Sequence, residues 1–447
     1  MRLHRDAAFP TGRLIGWNLG RGTLYGPPGH RWRTPLRERA IDTLKRIRAP
    51  HARPWMRFSG LQIDGSFGND GYHFERVVEN MEPAEYLGLM EEADAEPIVT
   101  LNFATGTAEE AARYAALVAP RGVTQFEIGN ECYGIWNTGY NAEAPGYAAT
   151  DPAWLGRPSS DVADFGARAL AYVEAVVAVV PAAKFFVPLS QASMDAWGGV
   201  EVSVPALAPL LAHPAVNGVV VHQYHVDEAM MFGLADKNDA TFILAGSERY
   251  RREYDRLRAV LPAGMGIAIT EYQVAGAFAR GQYRWGDDAL SGLGIADMLI
   301  AYAQLGIEDV CQHLSLGFDE GADAERDILV EPWYLPLFAD GTPRPSVLVT
   351  SLIADHLRAK TMPVELDGPS MSLTIGDETL TVPQLHAVAF ASEDDTTIVV
   401  LNRGDEVTIA APARAVRSYG ADAMVEGGAQ DRITLGARTV TGITISC

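Results

Sequence analysis

Along most of this chain, short apolar runs rich in Val, Ile and Phe alternate with longer segments whose apolar positions recur at helical spacing. The short runs predict strands at 14–19, 54–58, 97–102, 125–129, 184–188, 218–222, 266–270 and 309–314. Helical spacing falls at 36–48, 83–93, 108–118, 163–180, 248–261 and 289–305, between most of those strands. Eight strand–helix alternations predict an α/β fold in which a parallel sheet closes into a (β/α)8 TIM barrel. The rival, an open doubly wound sheet, would carry a glycine-rich phosphate loop after its first strand, and the chain has none there.

After a further helical segment at 346–358 the texture changes. Short alternating runs at 371–375, 386–391, 396–401, 406–410, 432–435 and 440–446 are separated by turn residues, and Asn402-Arg403-Gly404-Asp405 reads as a hairpin turn. The expected organisation is a barrel over 1–358 followed by a C-terminal antiparallel β-sandwich over 359–447.

Bulk properties narrow the partners. A chain of 447 residues, 48% hydrophobic and 21% charged, can bury one large core and a smaller one. Its formal net charge of −21 argues against nucleic acid and anionic membranes, because phosphate binding needs basic surface. No apolar run approaches membrane-spanning length, and the basic N-terminal residues are not followed by the apolar segment of a secretory signal. Cys132, Cys311 and Cys447 are scattered and odd in number, so they read as free thiols in a reducing compartment. The expected location is the cytoplasm.

Two carboxylates stand where an apolar strand breaks into polar and aromatic residues. Glu131 lies in Phe126-Glu127-Ile128-Gly129-Asn130-Glu131-Cys132-Tyr133-Gly134, and Glu271 in Ile267-Ala268-Ile269-Thr270-Glu271-Tyr272. In an α/β barrel the C-terminal ends of the strands converge on one pocket, however distant in sequence. Glycosidic bond cleavage needs two carboxyls there: one protonates the leaving oxygen while the other attacks the anomeric carbon. A retaining pair lies roughly 5–5.5 Å apart and an inverting pair about 6.5–9.5 Å. The acid must stay protonated near neutral pH, which apolar surroundings from Ile128, Cys132, Tyr133 and Trp136 would favour. The nucleophile must stay ionised, which hydrogen bonds from Arg57 and Tyr224 would favour.

The strand pattern with Gly129-Asn130-Glu131 on its fourth strand resembles the large clan of retaining (β/α)8 glycoside hydrolases. Within that clan, Glu-Ile-Gly-Asn-Glu-Cys-Tyr-Gly-Ile-Trp at 127–136 is most similar to α-L-arabinofuranosidases of glycoside hydrolase family 51, whose β-sandwich also follows the barrel. The resemblance implies that Glu131 is the general acid/base and Glu271 the nucleophile. It implies that Asn130 bonds the sugar 2-hydroxyl, that Arg57 helps to hold the nucleophile ionised, and that His222 and Tyr224 occupy the strand end where the clan places an aromatic hydroxyl on the nucleophile. Asn18, Asn102, Trp136 and Trp285 complete the candidate substrate-binding set, with no cofactor and no metal. The chain departs from the family in two places: Arg57-Phe58-Ser59-Gly60 replaces a Gly-Gly-Asn type loop, and the first barrel strand begins almost at once, where the family often has part of its sandwich.

Each reading has a plainer competitor. Glu131 and Glu271 read otherwise as strand-end carboxylates paired with arginine, Asn130 as a turn residue tolerating a left-handed backbone, and Arg57 as an ion-pair partner in the barrel mouth. His222 is also readable as a satisfied core histidine, and His222 with His225 lacks the further ligands of a metal site. The segments 137–160 and 275–288, rich in aromatics and carrying Arg280 and Arg284, read as substrate-shaping loops, with a structural lid or a homo-oligomer contact as the alternative. All eight tryptophans precede the sandwich, so that domain, poor in the flat rings on which sugars stack, reads as supportive. The expected function is an exo-acting, retaining α-L-arabinofuranosidase acting on an oligosaccharide or glycoside. The alternatives are a β-xylosidase, β-glucuronidase or endo-glycanase on the same scaffold, and a non-catalytic carbohydrate-binding protein.

Overall fold

The computed structural model describes residues 1–19, 35–48, 51–58, 83–103, 106–132, 162–189, 197–225, 240–274, 289–314, 336–338, 340–375, 377–420 and 423–446. Eight parallel strands close into a barrel, with strand 8 hydrogen-bonded to both strand 7 and strand 1. In chain order they are Trp17–Leu19, Trp55–Phe58, Glu96–Leu101, Gln125–Ile128, Lys184–Pro188, Val216–Tyr224, Gly266–Gln273 and Asp309–Leu314. Helices Pro35–Arg46, Pro83–Glu92, Ala108–Val118, Val162–Val179, Ser247–Val260 and Ala289–Leu305 lie between them, each within two residues of the expected bounds.

Both faces of these strands are covered, which explains why they read as nearly continuous apolar runs. Outward-facing Met56, Val99, Phe126, Val187, Val221, Ile269 and Val310 join the large core shared with the helices. Inward-facing Trp55, Ile98, Phe186, Val220, Ala268 and Cys311 form a separate apolar plug across the lumen. Because side chains alternate along a strand, the next inward positions are Arg57, Thr100, His222 and His313. The lumen thus changes from apolar to polar one layer up, toward the C-terminal ends of the strands. No helix among the described residues is long and apolar enough to cross a membrane.

The sandwich draws strands from both ends of the chain. An eight-stranded antiparallel sheet is built chiefly from Leu385–Ala391, Asp395–Asn402, Val407–Gly420, Gln430–Leu435 and Thr439–Ser446. Its edge is completed by Phe9–Pro10 pairing with Lys360–Met362, while Arg2–Leu3 pairs with Val364–Glu365. The N-terminal residues ahead of the first barrel strand therefore pair with the sandwich, as in the family layout from which the sequence reads as departing. The turn at Asn402–Asp405 is real, but it does not make a hairpin. The strands on either side of it each pair with Thr439–Ser446, which lies between them. Asn402 is spent elsewhere: its side-chain amide donates to the carbonyls of Asp405, Leu435 and Gly436.

Barrel and sandwich are locked by a buried polar cluster. Asp297, on the last barrel helix, accepts from the guanidinium of Arg403 and from the backbone N–H of Ser247, and contacts Nδ1 of His386 at 2.8 Å. Arg403 also reaches Glu248 at 3.1 Å. Asp297 and the Arg403 side chain are fully buried, and the arginine beside it holds the Asp297 carboxyl well below the usual range despite that burial. Helix Pro345–His356 also packs on the sandwich. A Cβ on Gly442 would meet the His356 imidazole at 2.2 Å, so only glycine lets this helix approach.

Candidate active site

The polar layer at the top of the barrel is organised by Arg57, whose side chain has no exposure. A guanidinium has five N–H donors, and all five are used. Nε and one Nη2 proton go to the two oxygens of Glu127, and the second Nη2 proton goes to Asn130 Oδ1 at 2.5 Å. Nη1 donates to Glu271 Oε1 at 2.5 Å and to Asn18 Oδ1 at 3.3 Å. The arginine is therefore the hub of the site as well as a partner of Glu271. Burial works against its charge, but Glu127 and Glu271 outweigh that and raise its pKa further.

Glu131 lies beyond the end of strand 4, held by an unusual backbone. Gly129 has φ +69° and Glu131 has φ +45°, so the left-handed positions are these two, with Asn130 between them. A Cβ on Gly129 would meet Cys132 Sγ at 2.6 Å and Phe103 Cβ at 2.8 Å, so the turn requires glycine there. A non-glycine residue at positive φ stores local strain, a cost that collects at functional sites. The consequence here is directional: Glu131 turns back over the lumen, where His222 Nδ1 meets its Oε1 at 2.9 Å.

Glu271 reaches the same point by a different device. Strand 7 carries a bulge, since Val221 pairs with Ile269 but His222 pairs with Glu271. Bulges re-aim side chains. In this one, consecutive residues both face the lumen: Thr270 meets His222 Nε2 at 3.1 Å, while Glu271 meets Arg57 and accepts from the Tyr224 hydroxyl at 2.7 Å. One carboxylate oxygen of Glu131 and one of Glu271 lie within 4.8 Å of each other.

Three neighbours set the charge state of Glu271. Burial alone would raise the Glu271 carboxyl, yet His222, His313 and Arg57 hold it well below the usual range. Glu127, fully buried, is likewise held down by Arg57 and His222 against the opposing effect of burial. His222 shows the reciprocal balance: burial pulls its pKa down, but the surrounding glutamates, chiefly Glu271, lift it from 6.5 to about 9. A raised folded-state pKa means that the charged imidazole stabilises the fold fully below about pH 6.5, and that this contribution disappears as pH rises through about 9. The amount is on the order of 3 kcal/mol. Thermal melts of the wild type and His222→Gln should converge as pH rises across that window. A gap that stays constant from acid to alkaline pH would show that the imidazole carries no charge.

Of the candidate residues named from sequence, Asn18, Arg57, Asn130, Glu131, His222, Tyr224 and Glu271 are brought into one connected network. Asn102 is buried at the end of strand 3 on the inward alternation after Ile98 and Thr100, its carbonyl accepting from Tyr172 at 3.2 Å. Trp136 and Trp285, with the segments 137–160 and 275–288, lie outside the described residues. His225 does not converge with His222: it stacks on Tyr250 outside the lumen, with ring centroids 5.0 Å apart. Cys132 and Cys311 are buried and unbridged, and Cys447 is outside the described residues.

Three residues of the network were not singled out from sequence. Glu127 carried a signal, an acidic residue inside the apolar run of a strand buried on both faces. His313 carried a weaker one, as the polar residue two positions after Cys311 on strand 8. Thr270 carried only its alternation with the inward-facing Ala268, and its partner His222 could not be read from that. Glu131, His222 and Glu271 are also the one group among the described residues whose ligand atoms are close enough to hold a metal ion. The Arg57 guanidinium against Glu271 opposes a cation there, and His222 already bonds Glu131.

No protein-family model matches the chain, and no curated protein matches it by sequence. Solved structures match it in fold. A family 51 α-L-arabinofuranosidase from Bifidobacterium longum aligns at 12% identity with a TM-score of 0.68, covering 98% of this chain and 96% of that one. An α-L-arabinofuranosidase from Thermotoga maritima, solved with arabinose, aligns at 15% identity, TM-score 0.66, over 98% and 96% of the two chains. A 4-O-α-L-rhamnosyl-β-D-glucuronidase from Fusarium oxysporum aligns at 12% identity, TM-score 0.65, over 100% and 99%. The fold of this chain is that of these glycoside hydrolases: a closed (β/α)8 barrel carrying a β-sandwich.

Proposed function

We propose that this protein is a retaining glycoside hydrolase that acts by double displacement, as an exo-acting α-L-arabinofuranosidase. The observation that carries the proposal is the pair of carboxylate oxygens within 4.8 Å, on Glu131 and Glu271. That separation suits a carboxylate that attacks the sugar directly and leaves no room for the intervening water of an inverting pair. The fold shared with two α-L-arabinofuranosidases supports the substrate.

The unequal surroundings of the two carboxylates support different roles for them. Glu271, bonded to Arg57 and Tyr224, is the ionised nucleophile. None of the five Arg57 donors goes to Glu131, whose Oε1 lies 2.9 Å from Nδ1 of His222 and which acts as the acid/base. In the first step Glu131 protonates the leaving oxygen while Glu271 forms a bond to the anomeric carbon. In the second, Glu131 takes a proton from water, which displaces Glu271 from that carbon. Asn130, aligned by Arg57, and Asn18 are placed to bond sugar hydroxyls. We also propose a cytoplasmic setting, supported by the buried free thiols Cys132 and Cys311.

A panel of p-nitrophenyl glycosides, followed by proton NMR of the first product, tests this. Expected are turnover of the α-L-arabinofuranoside and initial release of the α-anomer. Activity confined to xylosides, glucuronides or polymeric glucans would replace the arabinofuranosidase assignment. Initial release of the β-anomer would reject double displacement. Sugar binding without turnover of any substrate would leave a carbohydrate-binding protein.

A further inference from the structure

Tyr224 stands between two acceptors. Its hydroxyl oxygen lies 2.7 Å from Oε2 of Glu271 and 2.6 Å from Nδ1 of His313, and that Nδ1 lies 3.5 Å from the same Oε2. A phenol has one proton to donate, so only one of these short contacts can be a bond from tyrosine. Glu271 is a carboxylate beside Arg57, and a charged acceptor outcompetes a neutral ring nitrogen. The tyrosine O–H therefore points at Glu271. A bare Nδ1 would then set its lone pair against those of the tyrosine oxygen at 2.6 Å, which is repulsive. The contact is attractive only if the imidazole donates.

We propose that His313 is a positioning residue: it donates its Nδ1–H to the Tyr224 oxygen and thereby keeps the tyrosine hydroxyl aimed at Glu271. This rests on the hydrolase reading above. The imidazole is itself well anchored. Strand 8 sets His313 beside Asn18 of strand 1, its carbonyl accepts from Gln273 at 3.4 Å, and its ring meets Tyr224 edge-on. Its side chain is 16% exposed, which places it at the mouth of the barrel above the apolar plug.

The arrangement matters most in the second half of the reaction. When Glu271 is bonded to the anomeric carbon it no longer carries its charge, and its hold on the Tyr224 hydroxyl weakens. His313 grips the other side of that oxygen and keeps the phenol in place until the carboxylate is regenerated. Loss of His313 should therefore lower kcat and KM together and leave kcat/KM nearly unchanged.

The test combines a spectroscopic readout with a mutant cycle. In protein labelled with 15N-histidine, the His313 signals, assigned by their loss in His313→Asn, should report a protonated Nδ1 at neutral pH and should shift in Tyr224→Phe. His313→Leu should lower kcat about tenfold with kcat/KM nearly unchanged. His313→Asn, which retains an N–H donor near the Nδ1 position, should recover most of that loss. In the Tyr224→Phe background the loss from His313→Leu should be much smaller than in the wild type, leaving only its direct effect on Glu271. An unprotonated Nδ1, or losses that multiply across the cycle, would overturn the assignment. A wild type silent on every glycoside would instead sink the hydrolase reading, while the nitrogen shifts would still decide the hydrogen bond.

Discussion

Glu271→Ala and Glu131→Ala should both abolish ordinary turnover, with kcat falling roughly 10⁴- to 10⁶-fold for the nucleophile, but they should fail in different ways. Without Glu271 no covalent intermediate forms, and the cavity left behind is open to a small anion. Added azide should then attack the anomeric carbon directly and give a glycosyl azide of inverted configuration. Without Glu131 the nucleophile is intact, so a substrate with a very good leaving group should still form the glycosyl-enzyme rapidly. Azide should then intercept that intermediate and give a glycosyl azide of retained configuration. Opposite product configurations from the two variants would establish the assignment that Arg57 and Tyr224 suggest. The same configuration from both, or the reverse pattern, would overturn it.

Arg57→Met should be the most destabilising single change in the site. It leaves Glu127, which has no exposure, and Glu271, with 9%, as buried anions without their shared cation. Breaking a buried pair from one side costs about 3–5 kcal/mol, because the remaining charge is uncompensated. Activity should fall as well, since Glu271 then loses one of the three neighbours that hold its carboxyl down, together with the N–H donor that orients it. The double variant Arg57→Met/Glu127→Gln separates the two effects. Removing the Glu127 charge should restore much of the lost stability, measured by denaturant unfolding, while the nucleophile still lacks its arginine and activity stays low. If Arg57→Met unfolds no more easily than the wild type, or if the double variant regains activity along with stability, Arg57 is not the hub described here.

Much of the barrel was legible before any coordinates, for a specific reason. Its strands are buried on both faces, so runs such as Val219-Val220-Val221 and Ile267-Ala268-Ile269 are apolar throughout, and the helices between them carry their own periodicity. The sandwich was less legible. Strands Glu378–Pro383 and Ala423–Gly427 are short and mostly exposed, and Arg2–Leu3 and Phe9–Pro10 become strands only because partners from the far end of the chain pair with them. The hairpin expected at Asn402–Asp405 failed for a related reason. A turn signal reports a local reversal of direction, and it cannot report that a third strand will insert between the two arms.

The same division runs through the site. The residue types are local information: a carboxylate ending an apolar strand, an arginine after Trp55-Met56, a His-x-Tyr pair on one face of strand 6. From these the chain alone determined a closed barrel, a pair of glutamates at its mouth and the arginine and tyrosine that attend one of them. The tertiary structure alone decided that Glu127 shares Arg57 with Glu271, that a bulge turns Glu271 inward beside Thr270, and that His313 meets the far side of the Tyr224 hydroxyl. Those facts depend on inter-strand register, and register is set by the pairing of segments distant in sequence, where a shift of one residue reverses the face on which every side chain lies.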